Sequence, residues 1–420
     1  MPFPLMARVR QHFDRPVVED VHAETMHQLS RLDLQQRIQP GARIAITVGS
    51  RGVANIAKIT RAVVQHLRSL GADPFIVPAM GSHGGATAEG QRALIADYGV
   101  TEEFVGAEIR SSMETVIVAE TTQGIPVHFD RNAFEADGVI VMGRVKPHTM
   151  FVGDIESGLH KMMLIGLGKT NGAKVYHKAI KNYSFETIIR AVAKEVLERC
   201  KVIAGVAIVE NAYDETALIE AVAPEDFYER EKALLKQSIA WLPRLPFRDV
   251  DLMIIDQIGK NISGTGMDTN VVGRKFNDHV STERDNADCK RIFVRSLTPE
   301  THGNACGIGL AEFTTKRLVD KIDFEYTRVN CIISGHATAG MIPLTYETDK
   351  AAIEDALMTI GMTEPEDARV MQIKDTLHVD ELLISEPYLR DLKDPPFEIL
   401  SPPVPMQFDG NGHLADIDSP

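Results

Sequence analysis

The stretch RIAITVGSRGVANIAKITRAVVQHLRSLG, residues 43–71, sets the reading of the chain. Arg43 to Val48 is a short apolar run, the pattern of a strand covered on both faces. It runs into Gly49, Ser50, Arg51 and Gly52. Asn55 then stands where a helix cap is expected. Ile56, Ile59, Val63, Leu67 and Leu70 recur at helical spacing, and Gly71 closes the run. Strand, glycine turn and amphipathic helix together make one βα unit.

The same rhythm continues outward. Phe75 to Met80 reads as a strand entering Gly81-Ser82-His83-Gly84-Gly85, with a helix from Thr87 to near Gly99. Gly138 to Met142 is another buried strand, followed by Arg144, Lys146, Pro147 and His148. A helix covers Phe185 to Cys200, and Val202 to Val209 is again a strand. Such alternation predicts an α/β fold on a doubly wound sheet. Ligands of such sheets sit beyond the carboxyl ends of the strands, and Arg51, His83 and His148 all fall just past such an end.

Pro243 and Pro246, between the lone Trp241 and Phe247, mark a break. After it, Asp251 to Ile255 is a strand leading into Gln257, Gly259 and Lys260. Strand and helix signals continue to about Leu383. The expectation is two α/β domains, 1–240 and 248–393, with a cleft between them, and a proline-rich extended tail over 394–420.

Composition narrows the class. A net charge of -14 argues against a nucleic-acid partner, since phosphate binding needs a basic face. No apolar run approaches the roughly 18 residues that cross a bilayer. Met1 to Arg10 is too mixed for a signal peptide. Cys200, Cys289, Cys306 and Cys331 form neither a C-x-x-C pair nor a disulfide framework, so a reducing, cytoplasmic setting is expected.

Two nucleotide motifs fail. Gly166-Leu167-Gly168-Lys169-Thr170 resembles the end of a P-loop, but Met163 stands where the first glycine is required. No G-x-G-x-x-G follows the first strand. The histidines say more. His83 lies between glycines that let backbone approach a ligand, His148 follows a stiffening proline, and His177 follows Tyr176 in a basic stretch. Lys161, beside Met162, Met163 and Leu164, fits either a reactive, partly buried amine or a snorkelling surface lysine. His160 is read as solvated or as an outer residue of the site.

Together these residues resemble the lactate racemase family, whose members use a nickel-pincer nucleotide. The resemblance implies a cofactor joined covalently to Lys161 through a thioamide, with nickel bound by His177, 16 residues on. It assigns His83 and His148 as the acid/base pair and Arg51 as the residue that polarises the substrate oxygen. Gln257 and Lys260 would hold the substrate carboxylate, with domain closure shaping the pocket. The implied reaction is racemisation or epimerisation at C2 of a small 2-hydroxy acid, by hydride transfer to the cofactor and back. Nickel(II) favours planar sites with soft and nitrogen donors, which a pincer and one imidazole supply. The backbone at the helix start, Gly49 to Asn55, is expected to bind the cofactor phosphate.

The pattern departs from the family at Val48, Gly84 and Ser157, and between His148 and Lys161. These departures weigh against lactate itself. The polar run Glu300-Thr301-His302-Gly303-Asn304 suggests a larger polar substrate recognised by His302, or simply a helix cap around Thr301. Two alternatives remain open: a C2 epimerase of sugar (aldonic) acids, and a non-catalytic pincer-nucleotide-binding homologue.

Overall fold

The computed structural model describes residues 2–50, 52–390, 392 and 395–418. The chain forms two compact units: Arg15–Leu242, and Met1–Asp14 together with Pro243–Pro420.

Strands are numbered along the chain. The unit made of the chain's two ends contains β1 (Met6–Gln11), and Arg15–Leu242 contains β2 (Arg43–Val48), β3 (Asp73–Pro78), β4 (Thr115–Glu120), β5 (Pro126–Asp130), β6 (Gly138–Arg144), β7 (Val202–Glu210) and β8 (Thr216–Val222). Within Arg15–Leu242 the described residues give a five-stranded sheet, β3-β2-β6-β7-β8, and a β4–β5 ribbon. The first four strands of that sheet are parallel, and β8 returns antiparallel beside β7.

Burial on both faces explains the unbroken apolar runs. Ile44, Ile46, Ile76, Ile140 and Val206 pack on one face with Ile59, Val63 and Leu67 of the helix Ile56–Ser69. Ala45, Val77, Val139, Val141 and Ala207 pack on the other with Ile188, Ile189 and Val192 of the helix Phe185–Arg199. Alternate residues of each strand thus feed separate cores. One detail differs from the expected capping. Asn55 occupies the N-cap position at φ 60°, but its side chain donates to Thr216 Oγ1 (3.1 Å) instead of to the helix start.

The second unit adds β9 (Asp249–Ile255), β10 (Asp288–Val294), β11 (Phe313–Thr315), β12 (Leu344–Tyr346), β13 (Val370–Ile373), β14 (Glu381–Ser385) and β15 (Phe397–Ile399). With β1 they form one sheet in the order β12-β11-β10-β9-β13-β14-β1-β15. The β12-to-β13 part is parallel, and β14, β1 and β15 run alternately antiparallel. Two segments behave otherwise than their local sequence suggests. Met6–Gln11 reads as unremarkable in sequence yet inserts between two strands from the far end of the chain. The proline-rich stretch expected as a tail contributes β15 and buries Leu414 and Ile417. Directly after β10, Arg295 is almost wholly buried and pairs with Asp256, Asp349 and Asp416. Among the described residues no helix is long and apolar enough to cross a membrane.

Candidate active site

In Arg15–Leu242 the parallel strands deliver their carboxyl ends to one edge of the sheet, and His83 and His148 lie just beyond it. His83 sits in the loop after β3. Its Nδ1 is hydrogen-bonded to Ser50 Oγ at the end of β2, and Ser50 O accepts from Tyr98 Oη at 2.8 Å. The loop depends on glycine. Gly81 has φ +61°, and a Cβ there would stand 2.9 Å from Ile165 Cγ2; Gly84 has φ +63°, and a Cβ there would stand 2.7 Å from the Gln91 amide.

His148 follows Pro147 after β6. Its Nδ1 accepts from the amides of Met150 (3.0 Å) and Phe151 (3.2 Å), and its own amide donates to Glu156 Oε2 at 2.8 Å. An imidazole nitrogen that accepts two amide bonds carries no proton, so the neutral ring holds its proton on Nε2. Phe151 stacks on the ring with centroids 4.2 Å apart, and Phe185 stacks on Phe151 at 4.1 Å. The ring orientation is therefore set by backbone bonds and by stacking together.

Lys161 ends the short helix Leu159–Lys161 and is half-buried. The chain then widens into a π turn, Met162–Gly166, closed by the Leu167 amide on Met162 O at 2.8 Å. Such turns recur at functional sites. This turn rests against the strand ends: a Cβ on Gly143 would lie 2.8 Å from Met162 Cγ, and one on Gly49 would lie 3.5 Å from Met162 Cε. His160 is not solvated. It is buried, and both its amide (3.1 Å) and its Nδ1 (2.7 Å) bond Glu231 Oε2. Glu231, from the helix Phe227–Ala240, thereby fixes the residue next to Lys161. No local sequence pattern marks it.

His177 lies half-buried on the helix Lys169–Ala179. Burial, and after it the positive charge of Lys161, hold the His177 imidazole below its ordinary value. The structure thus brings Lys161 and His177 within electrostatic reach and disfavours the charged form of His177. Arg51 lies outside the described residues. The helix start expected to take a phosphate already meets a carboxylate. Glu210 Oε1 accepts the Ala54 amide at 2.6 Å, while its other oxygen pairs with Arg144. Ser50, Glu210 and Glu231 escaped the sequence reading. Only Ser50, directly after a strand-end glycine, offered a signal.

In the second unit, Gln257 and Lys260 lie just past the carboxyl end of β9. The Gln257 amide donates to Lys374 O at 3.0 Å, and the Lys260 amide donates to Thr301 Oγ1 at 3.1 Å. Near Lys260, Cys306 is pushed down to about 6, first by a hydrogen bond from Cys331 and then by the Lys260 charge. His302 is exposed at φ 49°, at the end of the turn Pro299–Thr301. Its neighbours serve the backbone: Thr301 Oγ1 donates to Asn304 O (2.7 Å), and Asn304 Oδ1 accepts the Cys306 amide (3.1 Å). Thr301 and Asn304 brace the turn, and His302 takes no part in that bracing.

Comparison with known proteins follows from this geometry. Residues 15–187 match the family model described as lactate racemase N-terminal domain. No curated protein matches the chain. Among solved structures, the lactate racemase apoprotein from Thermoanaerobacterium thermosaccharolyticum shares the fold. The TM-score is 0.52 at 15% identity, over 89% of this chain and 99% of that one.

Proposed function

We infer a nickel-pincer nucleotide-dependent racemase or epimerase acting at C2 of a small 2-hydroxy acid, a reading supported by the match of residues 15–187 to the lactate racemase N-terminal domain. The observation that carries this reading is the neighbourhood of Lys161 and His177, an amine whose charge acts on a half-buried imidazole. A single imidazole beside an amine fits a metal whose other ligands come from an organic group. Lys161 would anchor that group and His177 would ligate its nickel. When bound, the group supplies a hydride acceptor, the chemistry that side chains lack.

The chain's own residues handle protons and orientation. His83, braced by Ser50, takes the substrate hydroxyl proton, a task for which imidazole is the usual side chain. His148, with its proton on Nε2, donates to the substrate oxygen from the other side, so the pair serves both enantiomers. Arg51 polarises the same oxygen. Gln257 and Lys260 recognise the substrate carboxylate. The four cysteines are unpaired thiols, which suits a cytoplasmic setting.

The test is intact and peptide mass spectrometry of Lys161, with nickel analysis, on protein co-expressed with pincer-synthesis enzymes. A Lys161 adduct with stoichiometric nickel is expected, and both should vanish in Lys161→Ala. Nickel-free, unmodified Lys161 under those conditions refutes the reading. A panel of short 2-hydroxy acids and aldonic acids, resolved by chiral chromatography, then separates racemase from sugar-acid epimerase. A loaded protein inactive on the whole panel would be the non-catalytic homologue.

A further inference from the structure

Lys169 belongs to the Gly166-to-Thr170 stretch that fails as a P-loop, and the proposed chemistry leaves it unused. Its side chain is wholly buried, and its backbone sits at φ 51°, a conformation that L residues adopt at a cost. Its Nζ donates to Pro78 O, at the last residue of β3. The same nitrogen lies 3.1 Å from Asp130 Oδ2, at the end of β5, and 3.4 Å from Gln91 Oε1. Gln91, also wholly buried, belongs to the helix Ala88–Asp97. Its Nε2 donates to Gly81 O at 2.9 Å and to His83 O at 3.2 Å.

Lys169 and Gln91 therefore bond the carbonyls of Pro78, at the end of β3, and of Gly81 and His83 in the loop after it, while Asp130 pairs with the Lys169 amine. Lys169 is also the first residue of the helix that carries His177. A buried ion pair is a poor way to gain stability, because apolar residues of similar volume often serve as well or better. Burial pulls the Lys169 amine down and pushes the Asp130 carboxyl up, each opposed by the other's charge. What an apolar pair lacks is the capacity to donate to loop carbonyls. That capacity is the one this cluster uses.

We propose that Lys169, Asp130 and Gln91 are positioning residues, a buried polar strut that sets His83 relative to the helix bearing His177. The idea deepens the proposed function, on which the acid/base role of His83 rests. Its physical content is independent of any cofactor. Without the strut the β3 loop keeps its glycines and its Ser50 contact but loses the three carbonyl anchors.

The test uses the full-length protein labelled with 15N-histidine. Ring signals are assigned from His83→Asn and His177→Asn and compared in Gln91→Met and Lys169→Met. Gln91→Met removes both donors at nearly constant volume. It should displace the His83 ring signals by more than a linewidth and leave His177 at its native position. Lys169→Met should displace both. If Lys169→Met does not fold, Gln91→Met decides alone. His83 signals of folded Gln91→Met at their native positions would overturn the proposal, as would a displacement of every histidine together. Displaced His83 signals with an unmodified Lys161 would sink the functional reading and leave the strut standing.

Discussion

Replacing Gly143 by alanine tests a close approach beside Lys161 in the candidate site. The added Cβ would stand 2.8 Å from Met162 Cγ, 3.0 Å from Gly158 O and 3.1 Å from Gly158 C. Carbon atoms prefer separations of roughly 3.5–4.0 Å, so about half an ångström or more must be found. Met162 can swing its side chain away, but the Gly158 carbonyl is backbone. Its own φ of +112° and the Glu231 carboxylate, 2.6 Å from where a Gly158 Cβ would lie, leave it little room. The displacement must pass into the Leu159–Lys161 turn. Overpacking of this kind costs about 1–3 kcal/mol. For a unit of this size that lowers the melting midpoint by roughly 3–10 °C. Differential scanning fluorimetry of Gly143→Ala against Gly52→Ala measures it, since a Cβ on Gly52 meets only the Tyr98 ring at 3.8 Å. Equal midpoints for the two variants would refute the packing argument. The same displacement should lower Lys161 modification in cofactor-loaded protein.

Three further outcomes follow from the same structure. Arg295→Met removes the cation shared by Asp256, Asp349 and Asp416, and should destabilise the second unit by about 3–5 kcal/mol in urea titrations; native stability would show that these acids need no partner. His66, His128 and His177 are all held below their ordinary values, burial being the first cause of each. The folded pKa thus lies below the unfolded one, so their contribution is present above about pH 6.5 and is lost as pH falls beneath it; each proton steepens the decline by up to about 1.4 kcal/mol per pH unit, and His66→Gln should flatten the melting profile between pH 7 and 5. His302→Asn, which keeps a residue tolerant of positive φ at an exposed turn, should change stability by less than about 0.5 kcal/mol and leave the substrate panel unaltered; a changed panel would return His302 to the site.

The α/β class was legible because parallel strands covered on both faces must be largely apolar, and Arg43–Val48, Gly138–Met142 and Val202–Val209 are. Loop positions after strand ends were legible for the same topological reason, so His83 and His148 could be picked out with Ser50 still unnoticed. Partners that meet only in three dimensions were not. Glu231 meets His160 across 71 residues, and Lys169 reads locally as a failed nucleotide motif, though its amine reaches β3. Asn55 shows the limit of cap rules: the residue type and place were right, yet Thr216 from β8 draws its side chain away. The 300–304 run shows the converse, since two of its polar side chains, Thr301 and Asn304, serve the backbone of one turn.

Because β1 lies between β14 and β15, the chain's opening segment has no partners until its closing segment exists. Arg10 bonds Glu381 across 371 residues. At ribosomal speeds of about 5–20 residues per second, that strand waits roughly 20–75 s as an exposed edge while Arg15–Leu242 can already be collapsing. Deleting Met6–Gln11 would therefore injure the unit whose other strands are synthesised last.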